Sequence, residues 1–143
     1  MKRDDQEILK EVQKNTGMAV KAIATISEKT CDDIMRHELA REKRRYLDVY
    51  HKAEACLMQN KAEEYHGNVM EDMMLKSAIN MNTMLNCSTS KIAELMIQGS
   101  NRGITSMWKS MNHHPDATQA SMEIAKELMD LEEECIERLK RYL

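Results

Sequence analysis

Apolar residues recur along this chain at steps of three and four, the spacing that puts side chains on one face of an α-helix. The first stripe is Ile8, Val12, Thr16, Ala19, Ile23 and Ile26, and it predicts a helix over about 4–29. The second is Met35, Leu39, Glu42, Tyr46, Val49 or Tyr50, Ala53 and Leu57, and it predicts a helix over about 32–59. Thr30, Asp32 and Asp33 precede that stripe and offer cap oxygens and negative charge to free backbone N–H groups. So short a connection makes the two helices antiparallel neighbours. Glu42 is the interruption, a carboxylate among core positions.

A polar segment from Asn60 to Asn68, with Gly67 in it, reads as a loop. Asn68 followed by Glu71 resembles a capping box. Periodicity then resumes with Met70, Met73, Met74, Met81 and Met84, and continues in another register from Thr89. One unbroken helix over 69–111 would run about 65 Å, against about 40 Å for its neighbours. A compact chain of this length has a radius of gyration near ~15 Å. The helix is therefore expected to break at Asn86-Cys87-Ser88-Thr89-Ser90, where hydroxyl groups can cap a new start. The prediction is a short helix over about 69–85 and a long one over about 89–111. The long one carries Ala93, Met96, Ile97, Ser100, Ile104, Met107, Trp108 and Met111. A last stripe, Ala120, Ile124, Leu128, Leu131, Cys135 and Leu139, predicts a helix over about 116–142. Gly17, near the small residues Thr16, Ala19 and Ala22, and the pair Gly99 and Gly103 suggest close helix approach, since helical glycine costs about 1 kcal/mol relative to Ala.

Composition sharpens this into an all-α class. There are 143 residues, one Pro, no Phe and fourteen Met, and 31% of the chain is charged. Such a length suits a single domain over 1–143 that buries roughly 70% of its unfolded surface. The formal charge of −3 gives no bias toward nucleic acid or anionic membranes. No apolar run approaches the ~20 residues of a bilayer span, and no apolar stretch follows the basic residues at the start. The expectation is a cytoplasmic protein that contacts neither membrane nor nucleic acid. Cys31, Cys56, Cys87 and Cys135 lack C-x-x-C spacing and read as free thiols. The basic run Arg41-Glu42-Lys43-Arg44-Arg45 has Glu38, Glu42 and Asp48 at ion-pairing helical spacing.

Candidate chemistry is thin. A carboxylate-bridged di-metal site needs Glu-x-x-His on two helices. Glu63-x-x-His66 is the one match, and it lies in the predicted loop. An atypical carboxylate cluster around Glu42 and Glu94 is the remaining metal option, with the adjacent His113 and His114 as a second weak candidate. Against that, Glu42 is expected to pair with Arg45 or another cation, as buried charges normally do. Met70-x-x-Met73-Met74 offers thioethers suited to Cu(I), although core filling accounts more simply for the methionines. No nucleophile–base pairing emerges, so no catalytic or cofactor-binding residue is assigned and an enzyme is not expected.

The segment Ser88-Thr89-Ser90-Lys91-Ile92-Ala93-Glu94-Leu95-Met96-Ile97-Gln98-Gly99-Ser100, with Leu131-Glu132-Glu133-Glu134 and Ile136-Glu137-Arg138-Leu139-Lys140, resembles an uncharacterised bacterial family of ferritin-like architecture. The resemblance implies a four-helix bundle with an interrupted third helix. It carries over no iron ligands, because the paired Glu-x-x-His motifs are missing. The expected function is a non-catalytic bundle, without cofactor, that acts as a homo-oligomer or through a protein partner. Iron or another metal, bound in a carboxylate-rich redox site, is the alternative.

Overall fold

The computed structural model describes residues 1–143 and contains only helices: α1 (Arg3–Ser27), α2 (Asp33–Gln59), α3 (Val69–Thr83), α4 (Thr89–His113) and α5 (Gln119–Leu139), closed by a 3-10 turn at Lys140–Tyr142. The break between α3 and α4 falls at the polar segment that the length argument singled out. No helix is long and apolar enough to cross a membrane.

The helix starts follow local chemistry. Asp32 accepts from the N–H groups of Ile34 and Met35, Asn68 from Glu71, and Ser88 from Lys91. The Asn68–Glu71 box is only half made, because Tyr65 donates to the Glu71 carboxylate at 2.8 Å. The last helix begins later than the pattern predicted, at Gln119. Its N-cap residue is held from another helix: Asp5 Oδ1 accepts from both the N–H and the hydroxyl of Thr118, each at 2.7 Å. This interaction fixes the starts of α1 and α5 together. The loop before α3 is held similarly, by buried Gln13, which accepts from the N–H of Tyr65 and donates to Glu64, both at 2.8 Å.

α1 packs against α2, α4 and α5, and α5 also packs against α2 and α4. The five-residue connections Glu28–Asp32 and His114–Thr118 join neighbours. The long route from α2 to α4 passes through α3, which lies against α1 and touches α4. The core contains the expected stripe residues Ile8, Val12, Leu39, Leu57, Leu128 and Leu139, each fully buried.

Some stripe positions depart from expectation. Trp108 is 52% exposed and Ala120 lies at the surface. The methionines divide: Met35, Met96, Met107, Met111 and Met129 are buried, whereas five others on or just after α3 are exposed. Core filling therefore explains the first group and not the second. The glycine expectation also fails. A Cβ at Gly17 or Gly99 would meet nothing within 4 Å, and one at Gly103 would meet the Glu132 side chain. None of these glycines serves a backbone-to-backbone helix contact.

Truncation tests this division of the surface. Leu39→Ala is expected to cost about 2–5 kcal/mol, as a cavity in a closed core does. Met73→Gln on α3 should stay within about 0.5 kcal/mol. Urea unfolding of both variants checks the contrast.

Candidate functional site

Two features stand apart from ordinary packing: a group of carboxylates enclosed by the long helices, and an apolar face that α3 turns to solvent.

Glu42 on α2 is fully buried, and neither of its oxygens has a hydrogen-bond partner. The thiol of Cys135 lies against it. Burial pushes the Glu42 carboxyl up to about 7, the Glu38 charge adds to the rise, and Arg41 and Arg138 oppose it. The expected partner is engaged elsewhere. Arg45 donates to Glu134 on α5, and Arg41 Nη2 joins it at 2.7 Å. Those two guanidinium groups hold the Glu134 carboxyl down at about 2. Arg138 is bidentate on Glu38, at 2.7 and 2.8 Å. Each arginine near Glu42 is thus held by another carboxylate, although Arg41 Nη1 is buried without a hydrogen-bond partner. Below about pH 7 a proton, rather than an arginine, neutralises Glu42.

A second carboxylate was hidden in the sequence. Glu132 on α5 is 3% exposed. It accepts a short hydrogen bond from the hydroxyl of Tyr46, itself buried one turn beyond Glu42. Tyr46 also lies 3.3 Å from the Ser100 hydroxyl on α4. Burial pushes the Glu132 carboxyl up to about 7, and Tyr46 and Ser100 pull against that rise. The same burial, with the Glu132 charge, raises the Tyr46 phenol well above its ordinary value. Burial and the neighbouring Glu42 raise the Cys135 thiol, which keeps it protonated and unreactive. A sequence signal for Glu132 existed: it stands four residues after Leu128 and three before Cys135, on the stripe itself.

The remaining candidates are scattered. Glu94 is exposed and ion-paired with Lys91 at 3.2 Å. His113 Nδ1 lies 2.7 Å from the Lys109 carbonyl, whereas His114 Nδ1 lies 3.3 Å from Asp4. These adjacent histidines face different partners. Glu42, Glu94, His113 and His114 are not gathered into one site, and no group of three His, Cys, Asp or Glu side chains is arranged to hold a metal ion.

A cleft of about 350 Å³ opens above Glu132 between α1, α3 and α4. Glu132, Tyr46 and Ser100 form its floor, and Gly99 and Gly103 are part of its lining.

α3 has two unlike faces. Leu75, Ile79 and Thr83 turn inward. Val69, Met70, Met73, Met74, Met81, Met84 and Leu85 are each at least 64% exposed. Most of these line a shallow surface groove with Ser77 and Ala78. No family model, curated protein or solved structure matches the chain.

The buried carboxylate makes stability depend on pH. The ordinary carboxyl value is 4.5 and the folded value for Glu42 is about 7. The folded state therefore binds this proton more tightly than the unfolded chain. The stability that this provides is complete below about pH 4.5 and is lost as pH rises through about 7. Glu42→Gln has no proton to lose. At pH 8 it should exceed the parent in stability by up to roughly 2–3 kcal/mol, with the gap closing toward pH 4.5. Urea unfolding of both proteins across this range measures the difference.

Proposed function

We propose that this chain is a non-catalytic helical bundle of ferritin-like architecture that works by self-association through α3. The bundle would comprise α1, α2, α4 and α5, with α3 inserted into the third helical position. Four free thiols suit the reducing cytosol. No cofactor enters this reading.

The observation that carries it is the arrangement of exposed side chains on α3. At 3.6 residues per turn, Met70, Met73, Met81 and Met84 lie within about 40° of Ser77 around the helix. They are also symmetric about Ser77 along the chain: Met73 with Met81, Met70 with Met84, and Val69 with Leu85. A two-fold axis at Ser77 would lay α3 antiparallel on α3 of a second copy and match methionine with methionine. Such an interface uses one surface patch twice, which is the usual symmetry of dimers. The acidic pair Glu71 and Asp72 lies about 120–140° around the helix from Ser77, off the paired face and engaged with Tyr65 and Lys21, so no like charges meet. Ser77 and Ala78 are small enough for close approach, and flexible thioethers fill the remaining space. A helix of about 22 Å gives an interface at the small end of the specific range, so association at micromolar concentration is expected.

Sedimentation over a range of concentrations is expected to show monomer and dimer in exchange. Met73→Glu with Met81→Glu should leave only monomer, with unchanged helicity. In a background lacking Cys31 and Cys87, Ser77→Cys should oxidise to a disulfide between copies, because the two-fold axis brings that position to itself. A strict monomer at millimolar concentration sinks self-association. A dimer that survives both glutamates assigns the contact to another face.

A further inference from the structure

We propose that the cleft above Glu132 is a binding site for a small primary amine with an apolar body, its ammonium group seated on the Glu132 carboxylate. This is independent of the outward face of α3.

The cleft is built for an occupant. Its volume of about 350 Å³ lies within the range of small-molecule sites, which typically combine apolar walls with a few convergent polar groups. The walls are Met18, Ala19 and Ala22 of α1, Leu75 and Ile79 of α3, and Leu95 of α4. The buried polar groups are on the floor, where Glu132, Tyr46 and Ser100 are each at most 3% exposed, while half-buried or exposed polar side chains such as Lys14, Asn15 and Arg102 complete the lining.

Glycine keeps the space open. Gly99 and Gly103 stand one turn apart on α4, each costing about 1 kcal/mol relative to Ala in a helix interior. A Cβ at Gly103 would collide with Glu132 Oε1 and stand 3.2 Å from its carboxyl carbon. The carboxylate occupies the place of the missing side chain. A Cβ at Gly99 would meet nothing within 4 Å. That glycine contributes emptiness to the cleft rather than contact to a neighbouring helix.

The chemistry of the occupant follows from which hydrogen-bonding capacity is left. The Tyr46 hydroxyl already donates to Glu132 Oε2. Ser100 is turned toward Tyr46 and Glu132. The donors of the floor are thus engaged, and what remains is acceptor capacity on the carboxylate. A ligand must bring a donor to it. Inside low-dielectric walls, a cationic donor gains most, because it also supplies the counter-charge that no side chain gives Glu132. No arginine or lysine of the chain pairs with Glu132. Arg102 and Lys14 line the cleft without reaching its carboxylate. These cations also favour a ligand whose outer end is an acceptor rather than a second cation.

Calorimetric titration at pH 8 with hexylamine, hexanol and hexanoate tests the assignment. Hexylamine should bind at least tenfold more tightly than the other two. Glu132→Gln should reduce hexylamine affinity by at least tenfold and leave hexanol unchanged. Gly99→Leu should fill the cleft and abolish binding without lowering Tm, since its side chain enters open space. Equal binding of all three probes, unchanged amine affinity in Glu132→Gln, or no heat from hexylamine at millimolar concentration would overturn the proposal. If Glu132→Gln did not fold, Gly99→Leu decides: amine binding that survives the filled cleft refutes the site.

Discussion

Removing two carboxylates from water, with no cation paired to either, is the constraint on which the arrangement of α2, α4 and α5 turns. An isolated ionised carboxylate in an apolar interior is so costly that the group takes up a proton or finds donors instead. Glu42 follows the first route and Glu132 mainly the second. The surrounding chemistry reflects both. Tyr46 is buried with its hydroxyl on Glu132, and Ser100 stands beside that hydroxyl. The arginines are half-buried on Glu38 and Glu134 and keep part of their hydration, except at the enclosed Arg41 Nη1.

That margin also ties helices together. The Arg41, Arg45 and Glu134 group and the Arg138–Glu38 pair both join α2 to α5. At the other end, Asp5 and Asp4 bind the turn before α5 to the start of α1. Charge and capping thus join α1, α2 and α5, and apolar packing adds α4 to them. α3 has no such clamp: one exposed ion pair, Lys21 with Asp72 at 2.6 Å, joins it to α1. Its remaining attachment is the inward stripe around Leu75 and Ile79.

Much of the fold was legible because period and punctuation agree. The stripes of α1 and α2 combine clear spacing with polar residues at their ends, and the length of a compact chain forced the break before α4. The chemistry was less legible for a physical reason. Period identifies a face, but not what stands across from it. Glu42 was conspicuous because it interrupts an apolar stripe, yet pairing it with Arg45 assumed that a nearby cation must turn inward. The competing acceptor, Glu134, lies on a helix remote in sequence. Glu132 stands on the apolar stripe of α5, but the acidic run around it reads as solvated surface and masks that signal. Gly99 and Gly103 gave a true signal of missing side chains, but spacing cannot distinguish room for a helix from room for a carboxylate and a cleft. On α3, period correctly gave a methionine stripe, but it could not say whether that stripe faces in or out.

The outward placement of those methionines gives the surface a chemical sensitivity that the core lacks. Thioethers in solvent are open to peroxide, which transfers one oxygen atom to sulfur and leaves as water. The sulfoxide is polar and chiral, and one such change on Met73 or Met81 would turn part of an apolar patch into a hydrated one. Met35 and Met107, fully enclosed, are shielded from the same reagent. An oxidant would therefore alter the character of α3 before it touched the packing of the other helices, and sulfoxide reduction would restore it.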